Sequence, residues 1–172
     1  INSLWIMCVF MKKQILRPLV NKDTIEKRYQ TIDVLNKEFI LKEEIKGLLK
    51  NVYDLERIVG RISYGNTNAK DLVQLRKSLS ILPELKDKLL GLKNSHTKFL
   101  SNEIDTLTAF FELLEKAIES DPPLSIKEGG IIKHGYNSEL DEIKSSALDT
   151  KNWLDNLVEE ERERTGIKKL RI

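Results

Sequence analysis

The stretch between positions 136 and 170 restricts the possible folds most, because most of it is a continuous run of helix-compatible residues. Neither Pro nor Gly occurs between Ser138, which is suited to cap a helix, and Gly166, which is suited to end one. Asp141 stands three residues after Ser138, at the spacing of a capping box. A helix of this length spans about 40 Å at 1.5 Å per residue. Because a compact domain of this size needs less, the sequence predicts a helix that extends beyond its own core.

The apolar residues of this predicted helix share one face. They recur at intervals of three or four, with Thr150 filling one gap, and are Leu140, Ile143, Ala147, Leu154 and Leu157. We expect this stripe to hold the helix against its neighbours and to be partly without a partner in this chain. Residues 159–164 carry no apolar side chain. The far end of the helix is therefore predicted to meet something outside the chain.

Composition favours long helices with solvated faces. Charged residues make up 33% of the 172-residue chain and hydrophobic residues 40%, while only eight Gly and four Pro interrupt it. The net charge of +2 does not by itself indicate a nucleic-acid partner. The single cysteine, Cys8, excludes an internal disulfide and suggests a reducing compartment.

The apolar first ten residues are too few to span a bilayer and lack the features of a secretory signal. We interpret them as a core strand or helix, and the start at Ile rather than Met as a piece of a longer protein.

Helical spacing recurs along most of the chain. The predicted helices begin with residues 11–17, which end before Pro18, and a helix that is capped by Asn21 or Asp23 and runs to about Asn36. They continue with a run over residues 45–52, a helix capped by Asp54, and a helix that is capped by Asn68 and ends near Pro83. A further turn or two over residues 85–90 and a helix over residues 103–119 follow. Residues 120–135 contain five of the twelve Gly and Pro residues, and residues 124–126 and 131–133 are predicted to pair briefly as strands. The predicted fold is all-α, an irregular helical array with a short hairpin-like loop and one long C-terminal helix.

The sequence contains no motif for catalysis, cofactor binding or metal binding. Gly129 and Gly130 are followed by Ile-Ile-Lys-His, which does not fit a phosphate-binding loop. His96 and His134 lack a second ligand at a motif spacing, so we interpret them as surface residues. The carboxylate runs at 43–44 and 159–161 are typical of solvated helix faces, and Cys8 is expected to be buried. We therefore predict no catalytic, cofactor-binding or metal-binding residue.

Two basic clusters are candidates for contacts with a phosphate backbone. Lys12, Lys13 and Arg17 lie beside a hydrophobic run and suit a solvated helix edge. Residues 168–172 follow the long helix, and their last three residues alternate as a strand does. A basic strand at the end of a long helix is placed to approach DNA, although three cations alone are a weak signal.

Several tracts, in order, resemble the MutS family of DNA mismatch-repair ATPases. They include Asp-Pro-Pro-Leu at 121–124 and Gly-Gly-Ile at 129–131, and together they occupy residues 53–62, 71–79, 82–85, 121–124, 129–131, 135–136, 139–142 and 161–168. The similarity covers nearly the whole chain from about Arg17. Residues 6–16 depart from it, because the family usually has a longer segment there with a Thr-x-x-Gly-x-Arg pattern.

The resemblance implies the core, or lever, domain of a mismatch-repair protein. It divides the chain into a helical core domain (1–135), a long lever helix (136–165) and the start of a DNA clamp (166–172). The lever would couple an ATPase domain to the clamp, which grips mismatched double-stranded DNA. The mismatch-reading and ATP- and magnesium-binding domains would lie outside these residues, so this part is expected not to be an enzyme and to bind no cofactor.

The resemblance further implies a homodimer, a MutL-type partner, no membrane association and a bacterial cytoplasmic, nucleoid-associated location. Three alternatives remain open from the residues alone: a MutS-like recombination paralogue, a helical scaffold or adaptor without a nucleic-acid role, and, with the least support, an enzyme active within these residues.

Overall fold

A computed structural model of the protein describes residues 10–167. Within them the regular structure is helical, apart from isolated bridge residues. The helices, in chain order, are α1 (residues 10–16, from the first described residue), α2 (Lys22–Lys37), α3 (Phe39–Lys50), α4 (Leu55–Ser63), α5 (Ala69–Gly91), α6 (Ser95–Glu103), α7 (Thr108–Ala117) and α8 (Ser138–Thr165). The predicted all-α class is confirmed. The predicted core segment before residue 10 and the basic strand after residue 167 lie outside the described residues.

The chain divides into two compact units, of which residues 10–131 and 132–167 are described. The first contains α1 to α7. The second contains α8, together with the residues that precede and follow it.

Side-chain caps define where several helices of the first unit begin. Asn21 accepts a hydrogen bond from the Thr24 amide, and Asp54 accepts one from the Arg57 amide. Asn68 and Asp71 form a reciprocal capping box at the start of α5. Each cap leaves fewer unpaired amides in the first helical turn. The predicted caps at Asn21, Asp54 and Asn68 are thus confirmed.

Helix α5 is the centre of the first unit, because α3, α4, α6 and α7 all pack on it. It runs through Pro83 to Gly91, so the prediction that Pro83 ends the helix is wrong. Pro83 has no N–H to donate to the Leu79 carbonyl, which normally disfavours an interior proline. However, Leu79 and Leu85 on either side are buried, and this packing outweighs the local cost.

Buried polar side chains join α5 to its neighbours. Arg61 donates to both carboxylate oxygens of Asp71 at 2.8 and 2.9 Å. Arg76, 7% exposed, donates to the Ile118 carbonyl at 2.8 Å. Ser78 accepts from the Tyr53 amide at 3.0 Å. Since buried polar groups are costly unless they are paired, these contacts select one arrangement of the helices.

A hydrophobic cluster lies where α2 and α3 meet α5. Ile45, Leu85 and Leu92 are buried at its centre. The partly buried side chains packed around them are Val34, Leu35, Leu41, Leu48, Leu89 and Ile104. These contacts explain why α2, whose own residues include none that are fully buried, remains part of the unit.

Helix α7 is shorter than the predicted helix over residues 103–119. Helix α6 ends at Glu103, and α7 begins only after Leu107, which adopts a left-handed conformation with φ of 47°. The Leu107 amide donates to the Asp105 carboxylate at 3.0 Å. The prediction merged this turn into a helix because the apolar spacing continues through it while the chain direction changes.

The loop after α7 differs from the predicted hairpin. The Glu119 amide donates to the Ile131 carbonyl at 2.9 Å, so the pairing involves the end of α7 rather than residues 124–126. Residues Ile126–Glu128 instead form a short 3₁₀ turn, capped by Ser125. The prediction of a strand over residues 124–126 is therefore wrong, because a local cap bond competes with pairing.

Candidate functional site: the long helix and its anchor

The start of α8 is held by the residues just before it. The Asn137 side chain accepts from the Leu140 amide at 2.9 Å and is the N-cap, so the prediction that Ser138 caps this helix is wrong. The Asp141 carboxylate accepts from the Gly135 amide at 2.7 Å. Lys144 donates to the Ile132 carbonyl at 3.0 Å. We call residues 132–137 with Asp141 and Lys144 the anchor.

The anchor fixes both the position and the rotation of the first two turns. Gly135 has φ of 84°, a conformation that favours glycine and that turns the chain back toward Asp141. One carboxylate oxygen of Asp141 receives the Gly135 amide, while the other is shielded from solvent and lacks a hydrogen-bond partner within the described chain. The hydrogen bond between Gly135 and Asp141 ties the turn before α8 to the first turn of the helix.

An open cavity of about 360 Å³ lies beside the anchor. Tyr136, Leu140 and Ile143 contribute to its lining, and the Ile143 side chain is 60% exposed. The cavity carries no cluster of convergent polar groups, so it does not have the character of a catalytic pocket.

The body of α8 is a 28-residue helix without a buried residue. Of the predicted stripe, Leu140 and Leu157 are half-buried, whereas Ile143 and Leu154 are exposed. Trp153, which lies off the stripe, is 62% exposed. Most helices in proteins are stabilised by a buried face, and α8 lacks one within the described residues.

The far end of α8 has its own stop signals. Arg164 donates to the Glu161 carboxylate at 2.7 Å, and this hydrogen bond raises the pKa of Arg164 above its ordinary value. Thr165 donates from its hydroxyl to the Glu161 carbonyl at 2.6 Å. Gly166, with φ of 73°, donates its amide to the Arg162 carbonyl at 2.9 Å. The predicted end at Gly166 is therefore confirmed.

Other residues considered from the sequence do not come together in a site. His96 is half-buried and His134 is exposed. Over residues 10–167, no group of three or more His, Cys, Asp or Glu side chains is placed to hold a metal ion. Lys13 pairs with Glu56 at 3.5 Å on the surface, as expected for a solvated helix edge. No helix in this part of the chain is long and apolar enough to cross a membrane.

The anchor was not predicted from the sequence. The spacing of Asp141 from Ser138 predicted only a capping box, and no role was predicted for Lys144. The available signal was the sequence Gly-Tyr-Asn just before the helix, because a glycine followed by an Asn cap is typical of a turn that folds back on a helix.

The chain is similar to known proteins over nearly its whole length. A family model described as MutS domain III matches residues 10–171. The DNA mismatch repair protein MutS of Geobacillus sp. (strain WCH70) is 43% identical over 162 residues, which is 94% of this chain and 19% of that protein. The proteins of the same name from Acetivibrio thermocellus and Staphylococcus aureus are 40% and 42% identical over 162 residues, again 94% of this chain and 19% and 18% of theirs.

The chain spans about a fifth of the length of the curated relatives it matches. The matched region covers α1 to α8 and therefore includes both compact units. By sequence and by its helical fold, the chain belongs to the MutS family, as its domain III.

Proposed function

We propose that the chain is the lever domain of a DNA mismatch-repair protein and that α8 couples an ATPase domain to a DNA clamp. Residues 1–135 would be the core domain, 136–165 the lever and 166–172 the start of the clamp. The observation that carries the proposal is α8 itself, a 28-residue helix with defined ends and no buried residue. A helix with this exposure suits an element that reaches another part of a larger protein.

The anchor and the backbone hydrogen bonds make α8 suited to transmit motion. Consecutive hydrogen bonds along the axis make an α-helix stiff, and its 28 residues span about 42 Å. The anchor fixes the start of the helix through Asn137, Asp141 and Lys144. A rotation imposed at the anchor is therefore carried to Gly166 with little loss.

The remaining parts of the proposal concern the longer protein. Mismatched double-stranded DNA would be bound through the clamp, and ATP with magnesium by a separate ATPase domain. The protein would act as a homodimer with a MutL-type partner, in the cytoplasm at the nucleoid. This domain itself would supply coupling and no catalytic group.

The alternatives have less support. The relatives reported above carry the name DNA mismatch repair protein MutS, and their similarity extends over 94% of this chain. Neither a recombination paralogue nor a scaffold without a nucleic-acid role is favoured by a feature of the described residues.

A helix break in the middle of α8 tests the coupling. In the full-length protein, Lys151→Pro removes one axial hydrogen bond and costs about 3 kcal/mol of helix stability. We expect ATP hydrolysis without DNA to persist, while the ATP-dependent change in affinity for mismatched DNA falls at least about tenfold. Lys151 is exposed, so Lys151→Ala is the matched control and should behave as the unmodified protein.

Binding is measured by fluorescence anisotropy of a mismatched duplex, with and without ATP. Circular dichroism confirms that both variants are folded. A proline variant that retains the full response to ATP contradicts the proposed role of α8.

A further inference from the structure

A groove between α2 and α6 is not used by the lever. The two helices contact each other, and two adjoining cavities of about 340 and 420 Å³ lie along their contact. Thr24 and His96 line both cavities. We call this surface the α2–α6 groove; besides Thr24 and His96, it is lined by Lys27, Arg28, Ile32, Phe99 and Leu100.

The groove is positively charged. Lys27 lines one cavity and Arg28 the other, and both side chains are exposed. Within the described residues neither cation has an ion-pair partner, and neither cavity is lined by an acidic side chain. Glu26, the nearest acidic neighbour in sequence, is paired instead with Lys22 at 3.6 Å. The groove therefore presents two cations that are not neutralised locally.

The groove is also apolar. Ile32 is 51% exposed, Phe99 56% and Leu100 39%, and all three line the cavities. The imidazole of His96 lies parallel to the Phe99 ring, with 6.3 Å between the ring centroids and 8° between the planes. This offset stacking holds Phe99 in place as a wall of the groove. Exposed apolar side chains at the centre of a concave surface are typical of a protein-binding site.

Its length fits a short helix. Thr24 and Ile32 are eight positions apart on α2, which corresponds to about 12 Å along the groove, or roughly two helical turns. Two turns present apolar anchors at the first, fourth or fifth and eighth positions, which is the usual pattern of a helix bound in a groove.

We propose that the α2–α6 groove binds an acidic amphipathic helix of a protein partner. The apolar face of that helix packs on Ile32, Phe99 and Leu100. Its flanking carboxylates pair with Lys27 and Arg28. Charge complementarity selects an acidic segment, and the exposed apolar wall selects protein over nucleic acid, since a phosphate backbone needs more cations than these two. The proposal is independent of the role of α8.

The test uses two synthetic helical peptides of about 16 residues. One carries Leu and Phe at groove-binding spacing with flanking Glu, and the other has Lys in place of each Glu. Each is titrated into the ¹⁵N-labelled 172-residue protein. We expect the acidic peptide to shift the amide resonances of α2 and α6, and the basic peptide to bind at least about tenfold more weakly.

Variants locate the binding. Lys27→Glu combined with Arg28→Glu should weaken the acidic peptide at least about tenfold. The matched control, Lys37→Glu combined with Lys50→Glu, makes the same change in net charge at exposed positions outside the groove and should leave the affinity unchanged.

Three results of the titrations would overturn the proposal: no shift at α2 and α6 at millimolar peptide, equal binding of the basic peptide, or stronger perturbation of the groove by a single-stranded oligonucleotide than by the acidic peptide. Equal weakening by the two double variants would also overturn it, because the effect would then reflect net charge alone.

Discussion

At the scale of single residues, buried charges fix how the helices of the first unit meet. Asp71 is 4% exposed and makes two contacts: it pairs with Arg61, and it is the capping-box partner of Asn68. Its removal leaves Arg61 without a carboxylate and the Asn68 amide, just before α5, without its acceptor. The contact therefore couples the start of α5 to α4.

Asp71→Ala should lower the free energy of unfolding by about 1.5–3 kcal/mol, the usual range for a hydrogen bond to a charged group. Urea denaturation followed by circular dichroism measures the change. Asp87→Ala is the matched control, since Asp87 is exposed on the same helix. A loss no larger than that of Asp87→Ala would show that the Arg61 contact contributes nothing.

Glu43 supplies a prediction about pH. It accepts a hydrogen bond from Lys46 at 2.7 Å, and this bond holds the pKa of Glu43 below its ordinary value of 4.5. Because the folded-state pKa is lowered, the contribution to stability is present above pH 4.5 and disappears as the pH falls through the folded-state value. The contribution is small, since the pair is exposed.

Lys46→Met should therefore raise the pKa of Glu43 toward 4.5, as measured by the side-chain carboxyl shift in an NMR titration. The difference in stability between this variant and the original protein should vanish in acid. Lys93→Met makes the same change in charge at a different position and should leave the pKa of Glu43 unchanged.

Caps were the residue-scale features most readily predicted. Asn21, Asp54 and Asn68 each accept from the amide three positions ahead, so the information is local. Ser138 and Asn137 are adjacent and equally suitable by type, and only the position of Asp141 against Gly135 distinguishes them. The contact between Arg76 and the Ile118 carbonyl spans 42 positions and has no local signal.

At the scale of elements, packing decides where α5 ends. The sequence predicts a helix end at Pro83. The helix instead continues through Pro83, because Leu79 and Leu85 are buried against other helices. The same reasoning explains α7: apolar spacing persists through Leu107, but a left-handed residue starts a new helix there. The spacing of apolar residues predicts a helical face, but it does not indicate where the chain changes direction.

Pro83→Ala should stabilise the protein. It restores the hydrogen bond to the Leu79 carbonyl and removes a helix penalty of about 3 kcal/mol, offset by up to about 1 kcal/mol from the more flexible unfolded chain. We expect a net gain of about 2 kcal/mol in the free energy of unfolding. The exposed neighbour Glu84 provides the control, since Glu84→Ala should change stability only slightly. A destabilised Pro83→Ala variant would indicate that the proline ring itself fills a needed space.

At the scale of the whole molecule, stability is unevenly distributed. Helix α5 contains Val73, Leu75 and Leu79 as buried residues, whereas α8 contains none among its 28 positions. Helices without a buried face rely on local propensity and open readily. The fold class and the family were predictable, because apolar residues at helical spacing and tracts resembling the family occur along nearly the whole chain. The exposure of α8 depends on the surroundings of the helix, and these cannot be predicted from the residues of the helix alone.

Hydrogen exchange of the 172-residue protein measures this difference. Amides in the middle of α5 should exchange only through global unfolding. Those in the second half of α8 should exchange at least about a hundredfold faster. Equal protection of the two helices would show that α8 has a packing partner within the protein.

The anchor of α8 has a geometric consequence. Successive residues of a helix are separated by about 100° of rotation and 1.5 Å of advance, so the direction in which Gly166 leaves is set by the number of residues after Asn137. One inserted residue would turn the far end by more than a right angle, whereas seven would restore the phase to within about 20° and add about 10 Å. The number of residues in α8 thus determines the direction in which its far end points as well as its length. Deletions of one or two residues alter that direction more than most substitutions on its surface.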